Sequence, residues 1–547
     1  MPKLPALLVC LAVAAGLAWI ASLPPRPLPP SAPASEFSAG RALGDIEVLA
    51  RQPHPLGSAA HATVADYLLA RMRALGLDVR TQDDVADGQA VRNLIGVLPG
   101  RDLTAPAIAL MAHYDTVPGS PGAADDSTGV AVALESVRAL RAGGPLARDV
   151  ALVITDGEEI DLLGARAFYA ADPLARRIGL VLNMEARGGG GRVFMFETGA
   201  DNGALIDVFR RVTPDPSSNS LSIFVYRHMP NDTDFTVVKA HGGTGLNYAF
   251  IGRQVDYHAP TSTLARLDDG SVQHMGNQVL AAARAFATAT ALPARRADRV
   301  YADFLGTGVL AYAPGAGWLI LLAATLLYLA TASRLRGGMR LQWRAATRGA
   351  IAALLVLPLA AALAIGARHL TGVPFGFETQ RPLLAAFGLF ELAVAACSLG
   401  IALLLAAWPK TLNWCAWGGA LVPAWLAALA AQATAPAVAF LLAWPLLLAT
   451  ATSWLACLPR RAAPPGPINA PVAAGVVASL AQCLYLGHAV MLGVGANLPG
   501  AAGLFAWLGA LAVFPLLQPF ASRRAGVLAG LATIALGLLL AAGIRLL

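Results

Sequence analysis

The acids and histidines of this chain cluster just past short apolar runs. His113 and Asp115 follow Ala107–Met111, and a Gly/Pro/Ser-rich loop then leads to the adjacent acids Asp125 and Asp126. Glu158 and Glu159 follow Val150–Ile154, Glu185 follows Gly179–Met184, and Tyr257 and His258 come shortly after Leu246–Ile251. Ligands of open α/β sheets gather outside the carboxyl ends of strands, so these groups are positioned to converge. Carboxylates packed that closely repel one another unless something cationic sits among them, and a metal is the natural candidate. The cysteines, Cys10, Cys397, Cys415, Cys457 and Cys483, all lie in apolar spans. No thiolate site can therefore form near the acids, and histidines and carboxylates must hold any ion. Such a hard and borderline set suits two zinc ions, with manganese or cobalt as the alternatives, and a metal pair at about 3.5–4 Å separation can polarise a carbonyl and activate a shared water. Hydrolysis also needs a general base, and an unligated Glu158 beside a ligating Glu159 would supply it.

The elements that must hold these residues follow from the pattern. Apolar runs at 94–98, 107–111, 150–154, 179–182, 193–196 and 244–251 read as strands. They alternate with helical spacing at 42–50, 63–75, 127–141, 163–169, 204–212 and 271–289, with Ser127 or Thr128 as a cap. That alternation predicts an α/β fold with a mixed, largely parallel sheet between helices, over residues 38–292. Residues 1–23 read as an amino-terminal signal anchor, a transmembrane helix, and the Pro-rich 24–37 as a stiff, extended linker. After a linker at 293–308, residues 309–547 hold about eight apolar spans, beginning with Val309–Ala332, an all-α polytopic membrane domain.

Composition agrees: 56% of residues are hydrophobic and 13% charged, far from a soluble average. The formal charge of +7 falls between apolar spans, not on a basic patch interleaved with aromatics, so nucleic acid is not a partner. If the amino terminus is cytoplasmic, the inner segments hold Lys3, Arg334, Arg336, Arg340, Arg344, Arg348, Lys410, Arg460, Arg461, Arg523 and Arg524. The outer connections hold only Arg368, Arg381 and Arg545. This asymmetry predicts residues 36–300 on the non-cytoplasmic side.

The ordered motifs H-x-D, D-D-x-x-G, G-E-E, N-x-E and Y-H, with HPLGS and PNDTDF, resemble the di-zinc aminopeptidase family that includes glutamate carboxypeptidase and glutaminyl cyclase. One apolar helix ahead of the domain and about eight spans behind it are similar to the membrane-embedded branch, with endoplasmic reticulum metallopeptidase and vacuolar membrane protease. The resemblance implies that Asp125 bridges two ions, one adding Glu159 and His258, the other His113 and Glu185. It implies that Asp115 orients His113, that Glu158 is the base, that Asp125-Asp126 is a cis peptide, and that Tyr257 or Tyr248 faces the oxyanion. Where the family usually has an acid four residues past the last histidine this chain has Ser262, which leaves Asp256 as the alternative support for His258.

The expected activity is a membrane-anchored di-zinc exopeptidase, an aminopeptidase acting on peptides, in a bacterial inner membrane with a periplasmic catalytic domain. The alternatives are glutaminyl cyclisation, which in this family generally uses one zinc, carboxypeptidase action, or a peptide-binding receptor or transporter with a non-catalytic outer domain. His54, His61, His228, His241, His274 and His369 lack metal-spaced partners and read as structural. Asp232 and Asp234 divide between capping a helix and supporting the cleft. Glycines 188–191 lack a phosphate-loop pattern and read as a tight turn. Glu391 and His488 lie inside apolar spans at similar depth and could pair, though a protonated Glu391 hydrogen-bonded within the bundle is the preferred reading, while Gln432, Gln482 and Gln518 suit bonds between helices.

Overall fold

A computed structural model describes residues 3–336, 342–376, 378–408, 414–456, 470–517 and 523–547. The expectations for Arg340, Lys410, Arg460, Arg461, Cys457 and Gln518 lie outside the described residues. The chain divides into two compact units, Leu23–Ala311, and Met1–Ser22 with Tyr312–Leu547. The second of these begins with helix α1 (Lys3–Ser22).

The Leu23–Ala311 unit opens with α2 (Ala39–Leu49) and α3 (Ala59–Ala74), then strands β1 (Asp78–Ala86), β2 (Gln89–Leu98) and β3 (Ala107–His113). Next come α4 (Ser127–Ala142), β4 (Val150–Thr155), α5 (Leu163–Ala171), β5 (Ile178–Ala186) and β6 (Gly190–Thr198). Helices α6 (Gly203–Val212), α7 (Ser220–Tyr226) and α8 (Asp234–Ala240) precede β7 (Gly245–Gly252) and α9 (Asp269–Thr288). A short pair, β8 (Val300–Asp303) and β9 (Val309–Tyr312), follows.

The seven long strands form one mixed sheet in the order β1-β2-β4-β3-β5-β7-β6. β4, β3, β5 and β7 run parallel, and β1, β2 and β6 are antiparallel additions at the edges. Every residue of β3 and β4 is buried, because helices cover both faces of a parallel sheet. On one side Val130, Leu134 and Val137 of α4 and Val272, Val279 and Phe286 of α9 join Leu110, Leu152 and Leu182 in the main core. On the other, Phe168, Phe235 and Val238 pack on Met111, Val153 and Val181.

Strand β1 and helices α7 and α8 had no clear periodic signal, since β1 is an edge strand whose residues are all exposed or half-buried. The Pro-rich linker is not a free spacer. The Leu28 amide donates to Gln273, Ser38 Oγ donates to the Leu28 and Pro29 carbonyls, and Arg41 and Arg138 donate to the carbonyls of Pro30, Ala32, Ala34 and Glu36. Proline carbonyls accept hydrogen bonds as well as any, so a proline-rich segment can be docked by donors from the domain.

In the Tyr312–Leu547 region, seven helices among the described residues are long and apolar enough to cross a bilayer. They span Pro314–Arg334, Trp343–Leu370, Phe387–Leu405, Trp414–Thr434, Pro436–Leu455, Ala470–Gly495 and Arg524–Leu546. The other expected span corresponds to a shorter helix, Ala502–Leu517. The first span starts later than the hydropathy implies, because Val309–Tyr312 is drawn into the β8–β9 pair. Small residues allow close helix crossing: a Cβ on Gly349 would lie 1.7 Å from the Ala416 carbonyl, and one on Gly419 1.9 Å from that of Ala346. Glu391 and His488 do pair, with Nδ1 2.8 Å from Oε1 and 3.0 Å from Oε2. Gln432 donates to the Pro314 carbonyl. Arg368, expected in an outer connection, is fully buried and donates to the carbonyls of Ala496, Val373 and Pro374.

Candidate metal centre

Four strand ends build the centre. His113 is the last residue of β3, Glu158 and Glu159 follow β4, Glu185 lies at the end of β5, and His258 follows β7. Asp125 reaches the same point from the loop before α4 and stands between the two imidazoles. His113 Nε2 lies 3.2 Å from Asp125 Oδ1, and His258 Nε2 lies 2.9 Å from Oδ2. Glu159 Oε1 is 3.1 Å from His258 Nε2, and Glu185 Oε2 is 3.9 Å from His113 Nε2. Two trios, His113/Asp125/Glu185 and Asp125/Glu159/His258, thus each bring three ligand atoms within 4.8 Å and share one carboxylate. A third trio, His113/Glu158/Glu159, meets the same limit.

Local structure explains the convergence. The Asp125-Asp126 peptide is cis, and the two acids do different work. Asp126, not Ser127 or Thr128, caps α4: its Oδ1 accepts the Gly129 amide at 3.0 Å. Asp115 holds the G-E-E turn, since Oδ1 accepts the Glu158 amide at 3.0 Å and Oδ2 the Glu159 amide at 3.2 Å. Its Oδ1 is also 3.4 Å from His113 Nδ1, which a further contact of 3.1 Å joins to the Asp115 carbonyl. With Nδ1 held by Asp115, it is Nε2 of His113 that faces the site. Gly157 takes a positive φ of 63° at the start of the turn. Gly188 lets the β5–β6 turn pass β7, because a Cβ there would lie 2.1 Å from the Gly252 carbonyl.

The electrostatics call for cations. Burial and the nearby Glu158 push the Glu185 carboxyl well above its ordinary range. Burial, with Asp234, Glu159 and Asp125, does the same to Glu158 against the pull of His113. Burial alone would lower His258, yet its bonds to Asp125 and Glu159 outweigh it and raise the imidazole to about 10. His113 is raised in the same way by Glu158, Asp115 and Asp125 despite complete burial. Asp125 opposes burial and is held low by the two imidazoles. The surrounding carboxylates thus pull both imidazoles toward the cationic form, and a metal ion takes the place of such a proton when histidine becomes a ligand. Donor type, the shared carboxylate and the charge deficit all fit two divalent cations of the zinc class.

The other expected residues divide. Tyr257 stacks on His258 with ring centroids 3.8 Å apart, and burial and the acids Asp125, Glu159 and Glu158 keep its hydroxyl protonated. Tyr248 is wholly buried in the main core. Asp256 spends both oxygens on Arg266, at 2.7 and 3.2 Å, while Ser262 uses its carbonyl to accept the amide of Ala123. His61 pairs with Asp156 at 2.7 Å, and His274 accepts the Val193 amide and bonds the Asp215 carbonyl.

Residues 93–283 match the model of Peptidase family M28. This stretch is a peptidase family M28 domain. The chain is 32% identical over 250 residues to endoplasmic reticulum metallopeptidase 1 of Mus musculus, covering 44% of this chain and 28% of that protein. It is 30% identical over 246 residues to the vacuolar membrane protease of Candida dubliniensis, covering 42% of this chain and 26% of that protein. The chain therefore spans under a third of the length of these relatives. A zinc aminopeptidase from Bacillus subtilis aligns at 16% identity and a TM-score of 0.37, over 45% of this chain and 95% of that one.

Within the M28 domain, two further sets of residues lie beside the centre: Asp234, which the sequence leaves between a cap and a support of the cleft, and a row of which only Asn183 stands in one of the ordered motifs. Asp234 is buried and hydrogen-bonded to Thr155 Oγ1, and burial raises its carboxyl to about 6. Thr233, not Asp234, caps α8 in a box with Thr236. Asn183, Asn247 and Glu197 form a buried row next to Glu185. The spacing N-x-E carried a signal for the first of these, because residues two apart on a strand share a face.

Proposed function

We propose that this protein is a membrane-anchored di-zinc exopeptidase, an aminopeptidase that cleaves peptides on the non-cytoplasmic side of its membrane. The observation that carries the reading is the disposition of Asp125, whose two oxygens each face a different imidazole, with Glu185 completing one trio and Glu159 the other. His113, Asp125 and Glu185 would hold one ion and Asp125, Glu159 and His258 the second. When bound, the ions supply Lewis acidity toward the scissile carbonyl and acidify the attacking water.

The chain's own groups do the rest. Glu158 takes the proton from water at its carboxylate and returns it to the leaving amine. Burial and the acids Asp234, Glu159 and Asp125 raise its affinity for that proton, as a base working near neutral pH requires. Asp115 fixes the backbone of Glu158 and Glu159 and orients His113. Tyr257 donates its hydroxyl to the developing oxyanion. The surplus of carboxylates favours a substrate with a free ammonium group, which is the reason for preferring amino-terminal cleavage. The arginines at helix ends, Arg334, Arg344, Arg348 and Arg524 against Arg381 and Arg545, support the non-cytoplasmic placement, a periplasmic one if the cell is bacterial.

The test uses the full chain in detergent with a panel of aminoacyl anilides and short peptides. Hydrolysis should release amino-terminal residues, stop on chelation and return with zinc. Glu158→Gln should bind zinc normally and lose turnover; full hydrolysis in that variant removes the assignment of the base.

A further inference from the structure

Asn183, Asn247 and Glu197 stand in one row across three strands. Asn183 of β5 pairs in register with Asn247 of β7, and Asn247 with Glu197 of β6. All three are buried, and their side chains form a continuous chain of hydrogen bonds. Asn183 Nδ2 donates to Glu185 Oε1 at 3.1 Å and to Asn247 Oδ1 at 3.0 Å. Asn247 Nδ2 donates to Glu197 Oε2 at 3.0 Å and to Thr233 Oγ1 at 3.1 Å. Lys239 Nζ of α8 donates to Glu197 Oε1 from a side chain 32% exposed. Lys239 is the one lysine of residues 23–311 in a chain that otherwise uses arginine there.

The direction of every bond in this row is set from the Glu197 end. Glu197 accepts at both oxygens, from Lys239 and from Asn247, so Asn247 turns its amide nitrogen toward Glu197 and its oxygen toward Asn183. Asn183 must then present its own nitrogen to Asn247, and the second hydrogen of that nitrogen reaches Glu185. The arrangement leaves Asn183 Oδ1 buried without a hydrogen-bond partner among the described residues. Asn183 is therefore held in this orientation by its neighbours and not by satisfaction of its own acceptor. The PNDTDF segment enters the same network through Thr233.

We propose that Lys239, Glu197 and Asn247 act through Asn183 as positioning residues for Glu185. They tune metal affinity in the His113/Asp125/Glu185 half of the centre and leave the Asp125/Glu159/His258 half unaffected. The inference rests on the two-ion reading above. Groups that hydrogen-bond a ligating carboxylate typically change metal affinity by about 10–100-fold when altered.

The experiment is a zinc titration of the metal-free full-length chain against a competing chelator, with no activity readout. The wild type should bind two ions. Glu197→Gln, whose amide can present either a donor or an acceptor to Asn247, should weaken one binding event by about 10–100-fold and leave the other within about threefold. Lys239→Met should act in the same direction, and Lys239→Arg should restore wild-type binding. In a Glu185→Ala background, Glu197→Gln should cause no further loss, as expected for two residues acting as one unit. Equal weakening of both events, or none, overturns the inference while the two-ion reading stands. A wild type that binds fewer than two ions overturns that reading and the inference with it.

Discussion

Asp115→Asn is the most informative single change at the centre. The wild-type carboxylate accepts two backbone amides, from Glu158 at 3.0 Å and Glu159 at 3.2 Å, and faces His113 Nδ1 at 3.4 Å. Asparagine keeps the shape but has one acceptor oxygen, so in either orientation one amide N–H meets an NH2 group. A hydrogen bond to a charged group contributes about 1.5–3 kcal/mol, and the surviving bond drops to the neutral range of about 0.5–1.5 kcal/mol. The turn carrying Glu158 and Glu159 therefore loses about 2.5–4.5 kcal/mol of restraint by these figures. Zinc titration should find affinity lower by about 10–100-fold, the usual effect of losing a carboxylate behind a ligating histidine. Hydrolysis of aminoacyl anilides at saturating zinc should still fall by about 100-fold, because a base displaced by about 1 Å works that much less well. Wild-type turnover at saturating zinc would refute the claim that Asp115 holds the base, and wild-type zinc affinity as well would refute its hold on His113.

Two further outcomes follow from the same geometry. Tyr257→Phe should lower turnover by about 100-fold with zinc binding unchanged, the effect of removing one oxyanion donor; unchanged turnover removes Tyr257 from the reaction. Above the carboxylate range the stability of the metal-free chain should fall with rising pH: His258 is raised to about 10 in the folded chain from an ordinary 6.5. The folded state then holds the extra proton, so its contribution is complete below pH 6.5 and is lost as pH rises through about 10. Glu158 and Glu185, also raised, add to the same trend. Thermal melts of metal-free protein should fall across that window and flatten with zinc; a rise across it would contradict the electrostatics.

The ligand-type residues could be read from the chain because each sits at the end of an apolar run. Strand direction alone then sends His113, the Glu158–Glu159 pair, Glu185 and His258 to one edge of a parallel sheet. The alternating pattern likewise carried the core strands and long helices, and hydropathy carried the membrane helices. Edge strand β1 and the short helices α7 and α8 had no such periodicity to betray them. Hydropathy also carried the first span into Val309–Tyr312, which strand pairing claims instead.

Tertiary structure alone decided how neighbouring acids share the work. Asp125 and Asp126 are adjacent and chemically identical, and only the backbone path sends one to the imidazoles and the other to the α4 amides. Tyr257 is the first candidate and Tyr248 its competitor in the sequence, and only the fold buries Tyr248 in the core and stacks Tyr257 on His258. The row from Lys239 to Glu185 joins positions on three strands and a helix that sequence separates widely. Local pattern encodes which residues face the core and where strands end. Which polar groups meet depends on strand order and register, set by packing between segments remote in sequence.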